Sequence, residues 1–214
     1  NIIYQRGDIM SKELLNEEKN ILNSISKPKS LLLHSCCAPC SSYVITHLSP
    51  YFNITILYYN PNISPKEEYE KRKEEQIRLI KTLNSPNKID FLDCDYDNDI
   101  YEEKIKGYES CPEKGARCTI CFNLRLEKTA KMAKENNYDF FCSTLTVSPY
   151  KNAPLINEIG KNLEKKYQVK WLVSDFKKEN GYKTSIELSQ KYNLYRQDYC
   201  GCKYSKRAEE EKKE

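Results

Sequence analysis

Three cysteines within five residues are the first chemically suggestive feature of this chain. Cys36, Cys37 and Cys40 follow the short apolar run Leu31 to Leu33, which is bounded by Lys27-Pro28-Lys29. Such a run, without helical periodicity, predicts a buried strand. The turn after a strand at the carboxyl edge of a parallel sheet is where α/β proteins place their ligands. Phosphate-binding turns there are rich in glycine. This turn contains none, so the sequence predicts a metal centre rather than a phosphate site.

A second pair of cysteines, Cys118 and Cys121, has a spacing shared by zinc sites, iron-sulfur sites and redox pairs. With the first three cysteines it predicts a site of four or five thiolates, and the alternative is a set of inert buried cysteines. Pro39 suits the first turn of a helix, and a second helix is predicted to begin at Cys118. Helix N-termini would stabilise thiolates at both clusters. Cys94 and Cys142 fall inside predicted strands and are interpreted as small core residues.

A third pair of cysteines lies near the end of the chain, in Cys200-Gly201-Cys202. A disulfide across one residue closes a small, strained ring, which makes the bond easier to reduce. The pair therefore favours a redox switch or an electron store. Two further metal ligands, or two ordinary surface thiols, are the alternatives.

Four aspartates at alternate positions, Asp93, Asp95, Asp97 and Asp99, follow the third predicted strand. Carboxylates there would supply an oxygen ligand to a metal, or they would cap the next helix. The cap is the safer interpretation.

The apolar pattern predicts the elements that must position these residues. The first strand is predicted to begin near Ser30. Four more strands are predicted at Asn53 to Tyr59, Lys88 to Cys94, Asp139 to Cys142 and Val169 to Val173. Helices are predicted at Ser11 to Ile25, Cys40 to His47, Lys66 to Leu83, Cys118 to Asn136, Leu155 to Tyr167 and Lys177 to Tyr192, with Ser11 and Ser64 as N-caps and Pro65 at a first helical position. This alternation predicts an α/β fold with a mainly parallel five-stranded sheet, helices on both faces and the metal site at the carboxyl ends of the strands. By analogy the sheet is Rossmann-like, of the nucleotide-hydrolase type.

Composition indicates a globular protein with a well-solvated surface. The 214 residues are 31% charged and 39% hydrophobic, and we expect an N-terminal helical extension over 1–29, a single α/β domain over 30–205 and a charged tail over 206–214. The apolar runs are too short to span a membrane, and the first ten residues lack a signal-peptide core. We therefore expect a cytoplasmic protein with no membrane partner. Ten cysteines in that compartment favour metal or redox chemistry over a disulfide framework.

The charge balance allows a nucleic-acid partner without requiring one. Lys and Arg exceed Asp and Glu by 35 to 31, a net charge of +4. The 17 tyrosines supply rings that could stack on bases, although a biased composition would account for them equally well.

Taken together and in this order, several motifs resemble the cobalamin-independent epoxyqueuosine reductase family over about Leu31 to Ser205. The motifs are Cys36-Cys37-x-x-Cys40, Asn60-Pro61-Asn62-Ile63, Arg117-Cys118-x-x-Cys121-Phe122-x-x-Arg125-Leu126, Thr144-Leu145 with Ser148-Pro149-x-Lys151, Asp175-Phe176-Lys177-Lys178, and Tyr195-Arg196-Gln197-x-Tyr199-Cys200-Gly201-Cys202.

The resemblance implies an activity, its cofactors and its partners. The family removes the epoxide oxygen of epoxyqueuosine at the wobble position of tRNA, a two-electron, two-proton reduction that releases water. Members carry a [4Fe-4S] cluster with a mononuclear iron or another divalent metal nearby. The implied partners are tRNA carrying epoxyqueuosine and an unidentified electron donor.

The resemblance also assigns roles to residues. It implies Cys36, Cys37, Cys118 and Cys121 as cluster ligands, Cys40 with Asp95 or Asp97 at the second metal, and Cys200 and Cys202 as the redox-active pair, while the division among Cys36, Cys37 and Cys40 stays open. The residues expected to contact tRNA are Arg117, Arg125, Tyr150, Lys151, Lys177, Lys178 and Arg196, with Tyr199 as a second ring for stacking. Each of these charged residues would alternatively be a solvated surface charge.

Two other functions fit parts of the pattern. A non-catalytic zinc module would use the same thiolates to hold the fold together. An ATP-dependent tRNA thiolase of the pyrophosphatase-loop type also combines an α/β fold with cysteines, but its phosphate-binding loop would need small flexible residues where this chain has the cluster at Cys36 to Cys40.

Overall fold

The computed structural model describes residues 2–205, with side chains from Met10 onward. Its centre is a sheet of five strands, namely β1 (Lys29–His34), β2 (Phe52–Leu57), β3 (Ile89–Leu92), β4 (Phe140–Ser143) and β5 (Lys170–Trp171). The strands lie in the order β3-β2-β1-β4-β5, and every neighbouring pair is parallel. The predicted parallel five-stranded α/β fold is confirmed.

Seven helices of the described chain surround this sheet. They are α1 (Ile2–Asn23), α2 (Ala38–Leu48), α3 (Lys66–Thr82), α4 (Asn98–Lys104), α5 (Ala116–Glu135), α6 (Ala153–Tyr167) and α7 (Gly181–Lys191), and two short 3-10 turns cover Thr144–Val147 and Lys203–Ser205. None of these helices combines the length and the apolar character needed to cross a membrane.

The alternation of side chains along β1 places a core on each face of the sheet. Leu32 packs with Phe122 of α5 and Ile156 of α6, whereas Leu31 and Leu33 pack with α2 and the end of α1 on the opposite face. Successive residues of a strand point to opposite faces, so both faces of a buried strand need apolar side chains. The fully buried Leu31-Leu32-Leu33 run satisfies both cores at once.

The central position of β1 determines where the site forms. His34, its last residue, is paired with Leu57 of β2 and with Ser143 of β4. All three strands therefore end at one edge of the sheet, and the segments that follow β1 and β4 leave it side by side. This edge is where a parallel sheet offers its ligand site.

The predicted helix caps were wrong at two positions. Helix α1 begins at Ile2, so Ser11 lies inside it and donates its hydroxyl to Asp175 Oδ2 at 2.5 Å. Pro65 precedes α3 rather than opening it, and no side chain caps that helix. Ser64 instead donates its backbone N–H to the carbonyl of Gly201 at 2.9 Å. Ser11 is thus an interior helix residue that contacts a distant carboxylate, and Ser64 lies one residue before the N-cap position.

Other boundaries differ by a few residues from the prediction. β5 is only two residues long, and α7 begins at Gly181 because two consecutive turns, closed by Lys178 N–H to Asp175 and by Gly181 N–H to Lys178, precede it. The helix α4 was not assigned from the sequence. The predicted charged tail over 206–214 lies outside the described residues.

Candidate metal and redox site

The thiols of Cys36, Cys37 and Cys40 form a compact trio at the carboxyl end of β1. Their three sulfur atoms all lie within 4.8 Å of one another. Cys37 occupies the position just before α2, and Pro39 is in the first turn of that helix, as predicted. The strand-to-helix turn thus directs three sulfurs to one point at the N-terminus of a helix, where backbone amides favour negative charge.

Among the three thiols, Cys36 is the one whose anion its neighbours favour. Hydrogen bonds from Cys37 and Cys40 hold the pKa of Cys36 well below its ordinary value, and Arg125 and Thr144 add to that effect. The same interactions act in the opposite direction on its neighbours, raising the pKa of Cys37 to about 12 and that of Cys40 well above its usual range. Thr144 holds the turn in place, because its Oγ1 accepts the Cys36 N–H at 3.2 Å.

The second cysteine pair projects from the beginning of α5. Cys118 is in the first turn, and its sulfur accepts the backbone N–H of Lys114 at 3.3 Å. Cys121 is one turn further along and is 6% exposed. Burial raises the pKa of the Cys121 thiol to about 11. The helix N-terminus expected at this cluster is present.

The guanidinium of Arg125 links the cysteine clusters from inside the protein. Arg125 is four residues after Cys121 on α5 and is 1% exposed. Its Nη1 is 3.8 Å from Cys121 Sγ, and its Nη2 donates to Asn60 Oδ1 at 2.6 Å. Burial lowers the pKa of Arg125, but the sulfurs of Cys121, Cys36 and Cys200 more than offset this and raise it. A buried positive charge is thus surrounded by thiols.

His34 and Asn60 orient that guanidinium. Arg125 Nε donates toward His34 Nε2 at 3.2 Å, and the carbonyl oxygen of Tyr59 lies 3.1 Å from the same nitrogen. His34 Nδ1 is hydrogen-bonded to Ser143 Oγ at 2.8 Å. Burial, followed by the charge of Arg125, lowers the pKa of His34 to about 3, so the imidazole is neutral. Asn60 also donates to the carbonyl of Ser35, which joins the network to the turn of the thiol trio.

The donor set fits a metal-thiolate group. Three sulfurs within 4.8 Å are the softest ligands that a protein offers, and they suit zinc, iron and iron-sulfur clusters. The contacts of the buried Arg125 are an amide, an imidazole and a sulfur, with no carboxylate among them. A cation in that setting is compensated only if neighbouring thiols are ionised, which is the state that binds metal.

Cys200 and Cys202 have free thiols and different surroundings. Cys200 Sγ accepts a hydrogen bond from Lys151 Nζ at 3.2 Å, whereas Cys202 Sγ is 3.1 Å from the hydroxyl of Tyr101. Cys200 is partly exposed, and Cys202 packs in a small buried cluster with Tyr101, Ile105 and Cys121.

An open cavity of about 250 Å³ lies directly against the trio. Its wall combines thiols with charged groups and aromatic rings, including Cys36, Cys37, Cys40, Cys200, Arg72, Arg125, Lys151, Arg196, Tyr150, Tyr182 and Tyr199. A cavity of this kind accepts a polar, planar ligand at the sulfur atoms.

The predicted aspartate ligands are not at the trio. The group that brings three potential ligand atoms together in the described chain contains neither Asp95 nor Asp97. Asp97 precedes α4 without a capping hydrogen bond from its side chain, and Asp95 is exposed. The carboxylates that line the cavity are Glu113 and Asp198, and no spacing in the sequence distinguished them.

Two of the predicted tRNA contacts, Arg117 and Arg125, are buried, and a third, Lys151, is half-buried. Arg117 is 3% exposed, and its Nη1 donates to the carbonyls of Glu109 and Cys111. Arg125 holds the thiol network, and Lys151 has a side chain only 9% exposed. Arg125 and Lys151 also line the cavity, and contacts of these three residues with tRNA stay a prediction.

The other predicted contacts lie nearer the surface. Tyr150 is 58% exposed and lines the cavity, as does the exposed Arg196. Lys177 pairs with Asp175 at 2.5 Å, and it and Lys178 are half-buried outside the cavity wall. The cavity wall therefore contains Arg125, Tyr150, Lys151, Arg196 and Tyr199 of the residues predicted to contact tRNA, and it leaves Lys177 and Lys178 apart.

Sequence reasoning missed His34, Tyr101 and Arg72 as parts of the site. The spacing of Cys121 and Arg125 would have placed that arginine beside a thiol, because residues four apart share a helix face. No comparable signal exists for Tyr101, which reaches Cys202 from 101 positions away along the chain.

The chain is similar to known proteins that share a single name. The family model described as "Epoxyqueuosine reductase QueH" matches residues 31–208. The protein of that name from Streptococcus pyogenes serotype M1 is 44% identical to this chain, in an alignment that covers 82% of this chain and 70% of the relative. The one from Staphylococcus epidermidis is 43% identical, with coverage of 92% and 87%. The one from Acinetobacter baylyi is 45% identical, with coverage of 83% and 80%. A solved structure, a predicted subunit of tRNA methyltransferase from Methanocaldococcus jannaschii, aligns over 77% of this chain and 74% of that one at 16% identity, and its TM-score of 0.47 is too low to support an argument.

Proposed function

This chain belongs to the epoxyqueuosine reductase QueH family, and we propose that it reduces epoxyqueuosine to queuosine at the wobble position of tRNA. The reaction removes the epoxide oxygen, consumes two electrons and two protons, and releases one water. The observation that carries this proposal is the thiol trio, which opens into a cavity beside the buried charge of Arg125. We place the reaction in the cytoplasm, with an electron donor not yet identified.

The thiols supply ligands for an iron-sulfur cluster and a second metal. We assign Cys36, Cys37, Cys118 and Cys121 to a [4Fe-4S] cluster, and Cys40 to a neighbouring mononuclear iron or other divalent metal. Such a cluster passes single electrons, and a divalent metal acts as a Lewis acid toward an oxygen. The short distances within the trio support the part of these assignments that concerns Cys36, Cys37 and Cys40. Cys118 and Cys121 are not in that close group and are proposed from the family resemblance. The carboxylate ligand that we propose for the second metal is Glu113 or Asp198, because both side chains line the cavity.

The residues around the thiols give this centre its electrostatic setting. Arg125 brings a permanent positive charge that favours bound anionic sulfur, and His34 and Asn60 hold it in place. The side chain of Lys151 is an ammonium at the cavity wall. Positive charge next to the substrate favours the oxygen as it becomes anionic on its way to water.

The redox pair provides the electron count that the reaction needs. Oxidation of the Cys200 and Cys202 thiols to a disulfide releases two electrons and two protons, which equals the demand of one epoxide. Cys200 lines the same cavity as the trio. Tyr150 and Arg196 at its mouth are suited to stack on an extruded base and to contact a phosphate.

The test combines analysis of the metal with analysis of the product. Protein prepared without oxygen is assayed for iron, zinc and acid-labile sulfide per chain, and is then incubated with epoxyqueuosine-containing tRNA and a chemical reductant. We expect about four irons and four sulfides from the cluster, with further metal beyond that count, and a nucleoside lighter by one oxygen atom. Zinc without sulfide, together with unchanged tRNA, would instead indicate a structural thiolate module.

A further inference from the structure

The two sulfurs of the Cys200-Gly201-Cys202 segment differ in accessibility. Cys200 is partly exposed and lines the cavity, whereas Cys202 is 6% exposed and faces the small cluster around Tyr101. A thiol from another molecule therefore has access to Cys200 and is shielded from Cys202.

The two sulfurs also differ in the group that each contacts. Lys151 Nζ, 3.2 Å from Cys200 Sγ, is itself almost fully buried. Burial lowers the pKa of Lys151, but Cys200 and the carboxylate of Glu113 outweigh burial and raise it, so the side chain remains an ammonium. Glu113 Oε1 lies at 3.6 Å, further away than the sulfur. An ammonium that donates a hydrogen bond to a sulfur stabilises the negative charge that develops there during thiol–disulfide exchange.

Cys202 contacts a neutral hydroxyl instead. Tyr101 is 1% exposed, and its Oη is 3.1 Å from Cys202 Sγ. Burial raises the pKa of Tyr101 strongly, so this hydroxyl keeps its proton. A buried hydroxyl can donate to a transient thiolate without carrying charge itself.

The backbone between the sulfurs is fixed on both sides. The Gly201 carbonyl accepts the N–H of Ser64 at 2.9 Å, and the Cys200 carbonyl accepts from Arg72 Nη1 at 3.4 Å. The different surroundings of the two sulfurs therefore belong to the folded state of this segment.

We propose that Cys200 is the sulfur that exchanges with an external thiol donor, that Lys151 is a catalytic residue which stabilises the Cys200 thiolate, and that Cys202 is the internal partner, served by Tyr101. This inference rests on the proposed function, because it assigns a different role to each cysteine of the redox pair in that reaction. It assigns Lys151 to sulfur chemistry rather than to tRNA.

A donor that carries two thiols reduces the Cys200–Cys202 disulfide in two exchange steps. One donor thiolate attacks Cys200 Sγ, the Cys200–Cys202 bond breaks, and the electron pair leaves on Cys202 Sγ, which accepts a hydrogen bond from Tyr101 and takes up one proton from solvent. The second donor thiolate attacks the donor sulfur of the mixed disulfide and releases Cys200 as a thiolate beside the Lys151 ammonium. Two donor thiols become one disulfide, and the protein disulfide gains two electrons.

The first test compares the two sulfurs directly in metal-loaded protein prepared without oxygen. Cys202→Ser retains only Cys200 of the pair, and Cys200→Ser retains only Cys202. Each variant is treated with hydroxyethyl disulfide, an uncharged reagent, and mixed-disulfide formation at each residue is followed by peptide mass spectrometry. We expect Cys200 to react about tenfold faster or more than Cys202, on the basis of access and of the neighbouring ammonium. Equal rates, or a faster Cys202, would overturn the assignment.

The second test isolates the role of Lys151 in the Cys202→Ser background. Lys151→Met should slow exchange at Cys200 about tenfold, and Lys151→Arg should restore most of the rate because the charge returns. Lys114→Met is the matched control, since Lys114 is an exposed lysine whose ammonium lies over the ring of Tyr150 at the same cavity. It should leave the rate unchanged. An unaltered rate in Lys151→Met, or equal loss in both methionine variants, would refute the proposed role.

These rates can be measured whether or not the protein turns over tRNA. A protein that fails to convert epoxyqueuosine but shows the expected order of rates refutes the proposed function and leaves the chemistry of the two sulfurs standing. A protein that converts epoxyqueuosine with the reverse order of rates refutes only the division of labour proposed here.

Discussion

Arg125 donates its Nε–H to His34 Nε2 over 3.2 Å, at a place where neither side chain is more than 1% exposed. A guanidinium bonded to a neutral imidazole keeps its full positive charge available to other neighbours. Those neighbours are sulfur atoms, with Cys121 Sγ 3.8 Å from Nη1. The pair thus joins the carboxyl end of β1 to α5 and places near the cysteines one cation whose described hydrogen-bond partners include no carboxylate.

Loss of the Arg125 charge should therefore lower metal content more than a surface substitution does. Arg125→Gln removes the cation and leaves His34 Nε2 and Asn60 Oδ1 without their donor. We expect iron and sulfide per chain to fall severalfold, and the free energy of unfolding in urea to fall by about 2 to 4 kcal/mol.

The matched control for this variant lies on the same helix. Lys131 has a side chain 60% exposed and pairs with Glu135, so Lys131→Gln removes the same charge from the surface of α5 and should change neither quantity by much. Equal metal content in Arg125→Gln and Lys131→Gln would contradict the role assigned to Arg125.

The assignment of cysteine ligands predicts three classes of substitution. Single replacement by Ser of Cys36, Cys37, Cys118 or Cys121 should abolish most acid-labile sulfide and the visible absorbance of a cluster. Cys40→Ser should remove only metal beyond the cluster's count. Cys94→Ser is the control, because Cys94 lies against the sulfur of Met132 at 3.6 Å, away from the trio. Substantial sulfide in the Cys118→Ser and Cys121→Ser proteins would show that these thiols are not cluster ligands.

The fold was predictable because local pattern and tertiary structure agree in most of the sheet. Leu31 to Leu33 needs burial on both sides, and the central strand provides it. The predicted helix caps were wrong because α1 begins well before Ser11, whose hydroxyl contacts Asp175, and because α3 begins at Lys66, after Pro65.

The charges of the site were harder to predict than its sulfurs. A cysteine cluster has few uses, so its presence indicates its chemistry. An arginine or lysine serves equally at a surface or beside a buried thiol, and only the fold distinguishes the two. Arg117, Arg125 and Lys151 were all predicted to contact tRNA; the first two are buried, and the side chain of Lys151 is 9% exposed at the cavity wall.

Tyr150 should be the strongest determinant of tRNA affinity among the predicted rings. It is 58% exposed at the cavity mouth, and a stacked base is worth about 1 to 3 kcal/mol. Tyr150→Ala should weaken binding of an anticodon stem-loop accordingly without changing metal content. Tyr108→Ala, at an exposed ring away from this cavity, is the control. Identical affinities for the two variants, measured by fluorescence anisotropy, would exclude stacking on Tyr150.

Arg196 should contribute to tRNA binding through charge alone. It is exposed and lines the cavity. Arg196→Ala should reduce the slope of log affinity against log salt by about one, as measured by titrations at several salt concentrations. An unchanged slope would place the phosphate contact elsewhere on the surface.

Gly201 should tolerate no side chain, because both its backbone conformation and its surroundings oppose one. Its φ is +101°, and a Cβ atom there would lie 2.8 Å from Ile63 Cγ1 and 3.0 Å from Arg72 Nη1. Arg72 is 3% exposed and bonded to Glu68, so it has little room to move. Gly107 offers a matched control, since its φ is +84° and nothing lies within 4 Å of its added Cβ.

Substitution at these two glycines separates backbone strain from crowding. Gly107→Ala should cost only the strain, about 1 to 2 kcal/mol in urea unfolding. Gly201→Ala should cost more, and it should also change exchange at Cys200 with hydroxyethyl disulfide, because the displaced backbone moves that sulfur away from Lys151. Metal content should remain normal in both variants, since neither glycine adjoins the trio. If Gly201→Ala matched Gly107→Ala in stability and left exchange at Cys200 unchanged, the segment would be adaptable, and the separation of the two sulfurs could not depend on a fixed backbone.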